Sequence, residues 1–202
     1  MKNLILSLFV LGALVSCSPS TEIVKTWKEP GASVTPGPTN KALLVAMVKD
    51  ESSRRLIEDQ LVKRVGITTP AVASYTMLTP ELMKAASDEV LNKMLTEGKF
   101  THIVLMRLAD VEKETSYVPG SSPVYYGSYG RYYGYGAGAY SSPGYYTTDK
   151  NYFIESAIYS VSPDKLLWTS TTKTVNPSKI DKTVNDIADV VSAQMKKDGF
   201  LR

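Results

Sequence analysis

The sequence predicts an α/β fold, and three observations carry the prediction. Residues 42–48 are a continuous apolar run, and 101–108 hold a second around Ile103-Val104-Leu105-Met106, the signature of strands covered on both faces. Between and after them lie three stretches with apolar residues at helical spacing. Residues 150–161 instead alternate, and a Ser162-Pro163-Asp164-Lys165 turn carries them into Leu166-Leu167-Trp168-Thr169, which reads as an antiparallel hairpin. Two successive strand-helix-strand units impose right-handed crossovers and a parallel core of order 2-1-3, with the first two helices on opposite faces. The expected architecture is a three-layer sandwich: a five-stranded mixed sheet, parallel 2-1-3 core plus antiparallel hairpin, with three helices.

In chain order, Lys2 precedes the apolar stretch Leu4–Val15, which is too short to span a bilayer and reads as a secretory signal. It ends in Leu14-Val15-Ser16-Cys17, which resembles the lipobox of bacterial lipoproteins. That resemblance implies cleavage after residue 16 and a diacylated or triacylated Cys17, with palmitate among the acyl chains. Ser18 stands where inner-membrane retention signals carry Asp, which implies the periplasmic face of the outer membrane as the destination. Residues 17–41 then form the anchor and a flexible tether, because Pro19, Pro30, Pro36 and Pro38 leave little room for regular structure. A tether of this length reaches roughly 25 to 30 Å.

A single domain is expected over 42–202. Asp50 offers an N-cap to a first helix with the stripe Leu56, Ile57, Leu61 and Val65, closed by Gly66. Residues 71–75 form a short strand. Thr79-Pro80-Glu81 opens a second helix running to Gly98. The last helix is capped by Asn176-Pro177 or Ser178, and its stripe is Ile180, Val184, Ile187, Ala188, Val191 and Met195.

Composition limits function. Of 202 residues, 23 are Lys or Arg and 20 are Asp or Glu, a net charge of +3 that gives no basis for nucleic-acid binding. One Cys and one His exclude the grouped residues that thiol chemistry, histidine catalysis or a zinc site needs, so no catalytic residue, metal or cofactor is assigned. His102 opens a strand and is read as structural. Asp110, Glu112 and Glu114 alternate and share one face, which is read as solvated rather than metal-binding.

One segment has no structural explanation in its composition. Residues 117–146 hold 10 of the 13 Tyr and 7 of the 13 Gly, with Arg131 the lone charge, inside an insertion spanning 117–148. Tyr125, Tyr126, Tyr129, Tyr132, Tyr133 and Tyr135 alternate with glycines, pairing amphipathic rings with flexible spacers as recognition loops do. They are the candidate binding residues.

Arg54-Arg55-Leu56-Ile57-Glu58-Asp59, Val72-Ala73-Ser74-Tyr75, Tyr117-Val118-Pro119-Gly120 and Leu166-Leu167-Trp168 resemble a family of uncharacterised bacterial lipoproteins, a domain of unknown function. The element order is similar to the small α/β domains of envelope assembly factors, including those that activate cell-wall synthases or help assemble secretion pores. The resemblance implies a fold and a compartment and transfers no catalytic residue. The expected function is a lipid-anchored, non-enzymatic envelope interaction or assembly module, held to the membrane through Cys17 and meeting an envelope protein. Peptidoglycan or glycan binding through the tyrosines is the alternative, and a hydrolase with dispersed carboxylates a further one.

Overall fold

The computed structural model describes residues 21–79, 82, 88–118 and 145–202. Cys17 and all six candidate tyrosines lie outside the described residues. Among the described residues are β1 (Thr21–Lys28), β2 (Ala42–Met47), α1 (Glu51–Val65), β3 (Ala71–Ala73), α2 (Asp88–Glu97), β4 (His102–Val118), β5 (Tyr145–Ser160), β6 (Lys165–Val175) and α3 (Ile180–Lys197). The strands form one mixed sheet of six, ordered β1-β6-β5-β4-β2-β3. Its β3-β2-β4 portion is parallel, and β4, β5, β6 and β1 follow antiparallel. The parallel run thus has the 2-1-3 order expected from sequence.

The sixth strand corrects the expected five, and it lies in the segment read as a tether. The prolines at 19 and 30 bracket Thr21–Lys28 rather than interrupt it, and Thr, Ile and Val at its start suit a strand. Thr21 is 1% exposed, and its hydroxyl lies 2.9 Å from that of Thr174. Beyond β1, Glu29 N donates to Leu167 O, and Val34 N donates to Phe200 O at 2.7 Å. Residues 21–41 therefore belong to the folded domain.

Two apolar clusters cover the two faces of the sheet. Ala42, Leu44 and Ala46 pack with Ile57 and Leu61 of α1 and with Val184, Ile187 and Val191 of α3. Leu43 and Val45, one residue out of phase, pack with Phe100 and Leu95 on the other side. That alternation is why β2 reads as a continuous apolar run. Trp168 and Phe200, both fully buried, stack with ring centroids 6.2 Å apart, and Trp168 Nε1 donates to Asp198 Oδ2 at 2.9 Å.

Local signals explain most boundaries. Asp50 Oδ1 accepts from Ser53 N at 2.7 Å and caps α1, and Thr79 Oγ1 accepts from Leu82 N at 3.2 Å. Gly66 ends α1 with ordinary negative φ, and its requirement is space: a Cβ there would meet Val62 O at 2.6 Å. Two expectations fail. Leu56 is 41% exposed, and α1 instead turns Arg54 and Glu58 inward with Ile57 and Leu61. The N-cap of α3 is Lys179, without a side-chain bond. Asn176, at φ 46°, bridges strands instead, its Oδ1 accepting from Lys150 N and its Nδ2 donating to Asp149 Oδ1.

Candidate functional site: a buried ion pair, a cleft and a two-faced ribbon

Glu58, 0% exposed, accepts four hydrogen bonds. Its Oε1 accepts from Ala46 N at 3.0 Å, Arg54 Nε at 3.1 Å and Ser74 Oγ at 2.7 Å, and its Oε2 accepts from Tyr75 N at 2.8 Å. Arg54 donates further to Ser74 Oγ and to Leu78 O at 3.0 Å. Around this pair, Tyr75 Oη donates to Asp59 Oδ1 at 2.8 Å, which raises the phenol above its ordinary pKa, and Arg55 lies over the Tyr75 ring. These bonds fasten α1 to β2 and to the turn after β3. Both carboxylate oxygens are buried and bonded within the domain, so the arrangement serves packing. The signal in the sequence was an Arg and a Glu spaced i, i+4 on the same helical face as Ile57 and Leu61. Two of the stretches that carry the lipoprotein resemblance, 54–59 and 72–75, meet here.

The cleft lies over the sheet between α1 and α3. A cavity of about 570 Å³ is lined by Leu61 and Val65 of α1, Val104 and Met106 of β4, and Ile187 and Val191 of α3. A second, of about 460 Å³, continues toward the helix N-termini past Tyr152, Ile154 and Lys179, and shares Met106 and Ile187 with the first. Volumes of this size suit small, mostly apolar ligands. The polar groups in the larger cavity are sparse. Ser156 lines it with a buried hydroxyl that has no hydrogen-bond partner among the described residues. His102 also lines it, half-buried, with Nδ1 2.8 Å from Thr101 Oγ1, and burial holds its imidazole below the ordinary pKa. Arg64 at the rim is paired with Asp189. A serine with no base bonded to it is not an activated nucleophile.

The ribbon is the part of β4 and β5 that outruns the sheet. The pairing of β2 with β4 stops at Arg107, and that of β5 with β6 stops at Asn151, yet β4 and β5 stay paired to Val118 and Tyr145. A register shift between Leu108 and Asp110 sets the phase of this extension. Asp110, Glu112 and Glu114 share one face, as their spacing predicts, and Asp149 joins them opposite Glu114. All three β4 carboxylates are exposed, and no group of metal-ligating side chains occurs among the described residues. The other face, continuous with the α1/α3 side of the sheet, carries Lys113 opposite Lys150 and Thr115 opposite Thr148, with Tyr146 75% exposed beyond them. The ribbon thus separates its charges by face, which the sequence alone did not reveal for β5. Residues 119–144, with the candidate tyrosines, join its two ends.

No protein-family model matches the chain, and no curated protein matches it. Among solved structures, the chain is similar to a PelC variant dodecamer from Paraburkholderia phytofirmans, at 12% identity over 83% of this chain and 95% of that one, with a TM-score of 0.43. A second PelC dodecamer from the same organism gives 10% identity over 83% and 94%, with a TM-score of 0.41. The lipoprotein GNA1162 from Neisseria meningitidis gives 8% identity over 78% and 99%, with a TM-score of 0.40.

Proposed function

We propose that this protein is a lipid-anchored, non-enzymatic interaction module of the bacterial cell envelope, held at the periplasmic face of the outer membrane. The observation that carries the proposal is the apolar leader ending in Leu14-Val15-Ser16-Cys17, followed within four residues by the first strand of a rigid domain. Among the described residues no helix is long and apolar enough to cross a membrane, and two or three acyl chains on Cys17 supply the attachment that the domain lacks. The non-enzymatic reading is supported by how the charges are used: Glu58 and Arg54 are spent on packing, and the ribbon carboxylates face solvent.

In this reading the sheet is a rigid base, and the Tyr/Gly-rich segment between β4 and β5 is the contact element for an envelope protein. Glycan binding is the second reading, favoured by six tyrosines whose rings can stack on sugars. Replacing those six by Ser at constant length abolishes capture of the partner in both readings, and crosslinking in intact envelopes identifies protein or glycan. Cys17→Ala tests the anchor. The variant is expected in the soluble fraction after cell breakage, and its persistence in washed membranes would overturn the proposal.

A further inference from the structure

The distance between the anchor and the sheet determines what else touches the membrane. Thr21 is fixed by its pairing with Thr174, and that row of the sheet continues through Tyr152 to Val111 of β4. Because β1 runs antiparallel to β6, β6 to β5 and β5 to β4, residues preceding Thr21 leave the sheet at the end toward which the ribbon projects. Four residues separate the Cα atoms of Cys17 and Thr21, at most about 14 Å of extended chain. From Val111 to Val118 the ribbon advances seven residues, about 23 Å. Its tip therefore reaches farther than a fully extended anchor can, and the roughly 25 to 30 Å tether expected from sequence does not exist.

An upright domain would drive the ribbon tip below the level of Cys17. The ribbon is unsuited to hydrocarbon: beyond Arg107, β4 has no partner on its outer side among the described residues, and an open strand edge in lipid leaves backbone groups unsatisfied. An orientation that meets both limits lays the ribbon along the headgroup layer on one of its faces. One face presents Asp110, Glu112, Glu114 and Asp149. The other presents Lys113 and Lys150, with Tyr146 beyond them, and at the same end of the α1/α3 side stand exposed Lys49 and Lys179. An anionic headgroup layer attracts lysines, each strengthening binding about five-fold, and exposed tyrosine suits the interface.

We propose that the Lys113/Lys150 face of the β4–β5 ribbon lies on anionic phospholipid headgroups of the membrane that holds Cys17, fixing the orientation of the domain. The inference rests on the anchor proposed above. It commits to a lipid surface because the length of chain outside the sheet brings the ribbon there and the charge of one face complements it.

The test uses the full acylated protein in vesicles of phosphatidylethanolamine with phosphatidylglycerol. Cys17 is the sole native cysteine and its thiol is consumed by the lipid, so single cysteines can be read with a membrane-impermeant maleimide. Thr148→Cys is expected to react several-fold more slowly in vesicles than in detergent. Glu114→Cys on the acidic face, and Asp164→Cys in the turn at the opposite end, should react at unchanged rates. Combining Lys113→Glu with Lys150→Glu, or inserting a long Gly/Ser linker after Ser18, should restore the Thr148→Cys rate. Equal reactivity of Thr148→Cys in vesicles and detergent, or protection of Glu114→Cys instead, would overturn the inference while leaving the anchor intact. Protein that carries no acyl chain and stays off the vesicles would overturn the anchor and this inference together.

Discussion

The α1–β2–β3 corner and the β4–β5 ribbon both place carboxylates and cations at short spacing, and they treat them in opposite ways. In the corner, Glu58 receives four hydrogen bonds within a closed shell that includes Arg54, and nothing is offered to solvent. On the ribbon, Asp110, Glu112 and Glu114 are exposed, and Lys113 and Lys150 occupy the other face. A charged pair sealed from water organises the fold, because removing either partner strands the other. Charges sorted by face on a strand pair that outruns its sheet add nothing to a core. They act on whatever lies next to them.

The largest effect expected from this contrast is at Glu58. Glu58→Ala leaves the buried Arg54 guanidinium with only its 3.4 Å contact to the half-exposed Glu51 as a carboxylate partner, and orphans the Ala46 and Tyr75 amides. A loss of about 3–5 kcal/mol follows, a large part of the stability of an ordinary domain. Denaturant unfolding measures it, and a change below about 1 kcal/mol would show that α1 does not depend on the pair.

His102 is the intermediate case, half-buried at the start of the strand that becomes the ribbon. Burial lowers its pKa, so the unfolded chain binds the proton more readily than the native domain. The stability from keeping this imidazole neutral is present above about pH 6.5 and is lost as pH falls from there through the depressed native value. Melting temperatures between pH 7.5 and 5.5 should decline, and His102→Gln should flatten that decline. An identical slope in the variant would place the effect elsewhere.

The smallest effect is on the ribbon. Glu112→Ala should change stability by less than about 0.5 kcal/mol, because the side chain is exposed and has no hydrogen-bond or ion-pair partner among the described residues. A loss approaching that of Glu58→Ala would erase the distinction between the two regions.

The same contrast explains what could be read without coordinates. Apolar runs report burial directly, so 42–48 and the Ile103–Met106 core of 101–108 revealed β2 and β4, and the 3.6-residue stripe through Val184, Ile187 and Val191 revealed α3. Polar residues carry no such label. Glu58 looks like a solvated helix residue until Ala46, Ser74 and Tyr75 are brought to it by the fold. Thr21–Lys28 contains three charges and lies between Pro19 and Pro30, and it becomes a strand because β6, at Trp168–Thr174, offers it an edge far later in the chain. Likewise the facing of Lys113 and Lys150 depends on a register set by a bulge, and the cavity beside Ser156 on the spacing of two helices. Neither exists in a local pattern.

The proposed function depends most directly on the covalent state of Cys17, which intact mass spectrometry of protein extracted from membranes reads in one step. A chain beginning at Cys17, heavier than residues 17–202 by two or three acyl chains and their glyceryl group, is the predicted result. A mature chain with an unmodified Cys17, or one that retains residues 1–16, would contradict it.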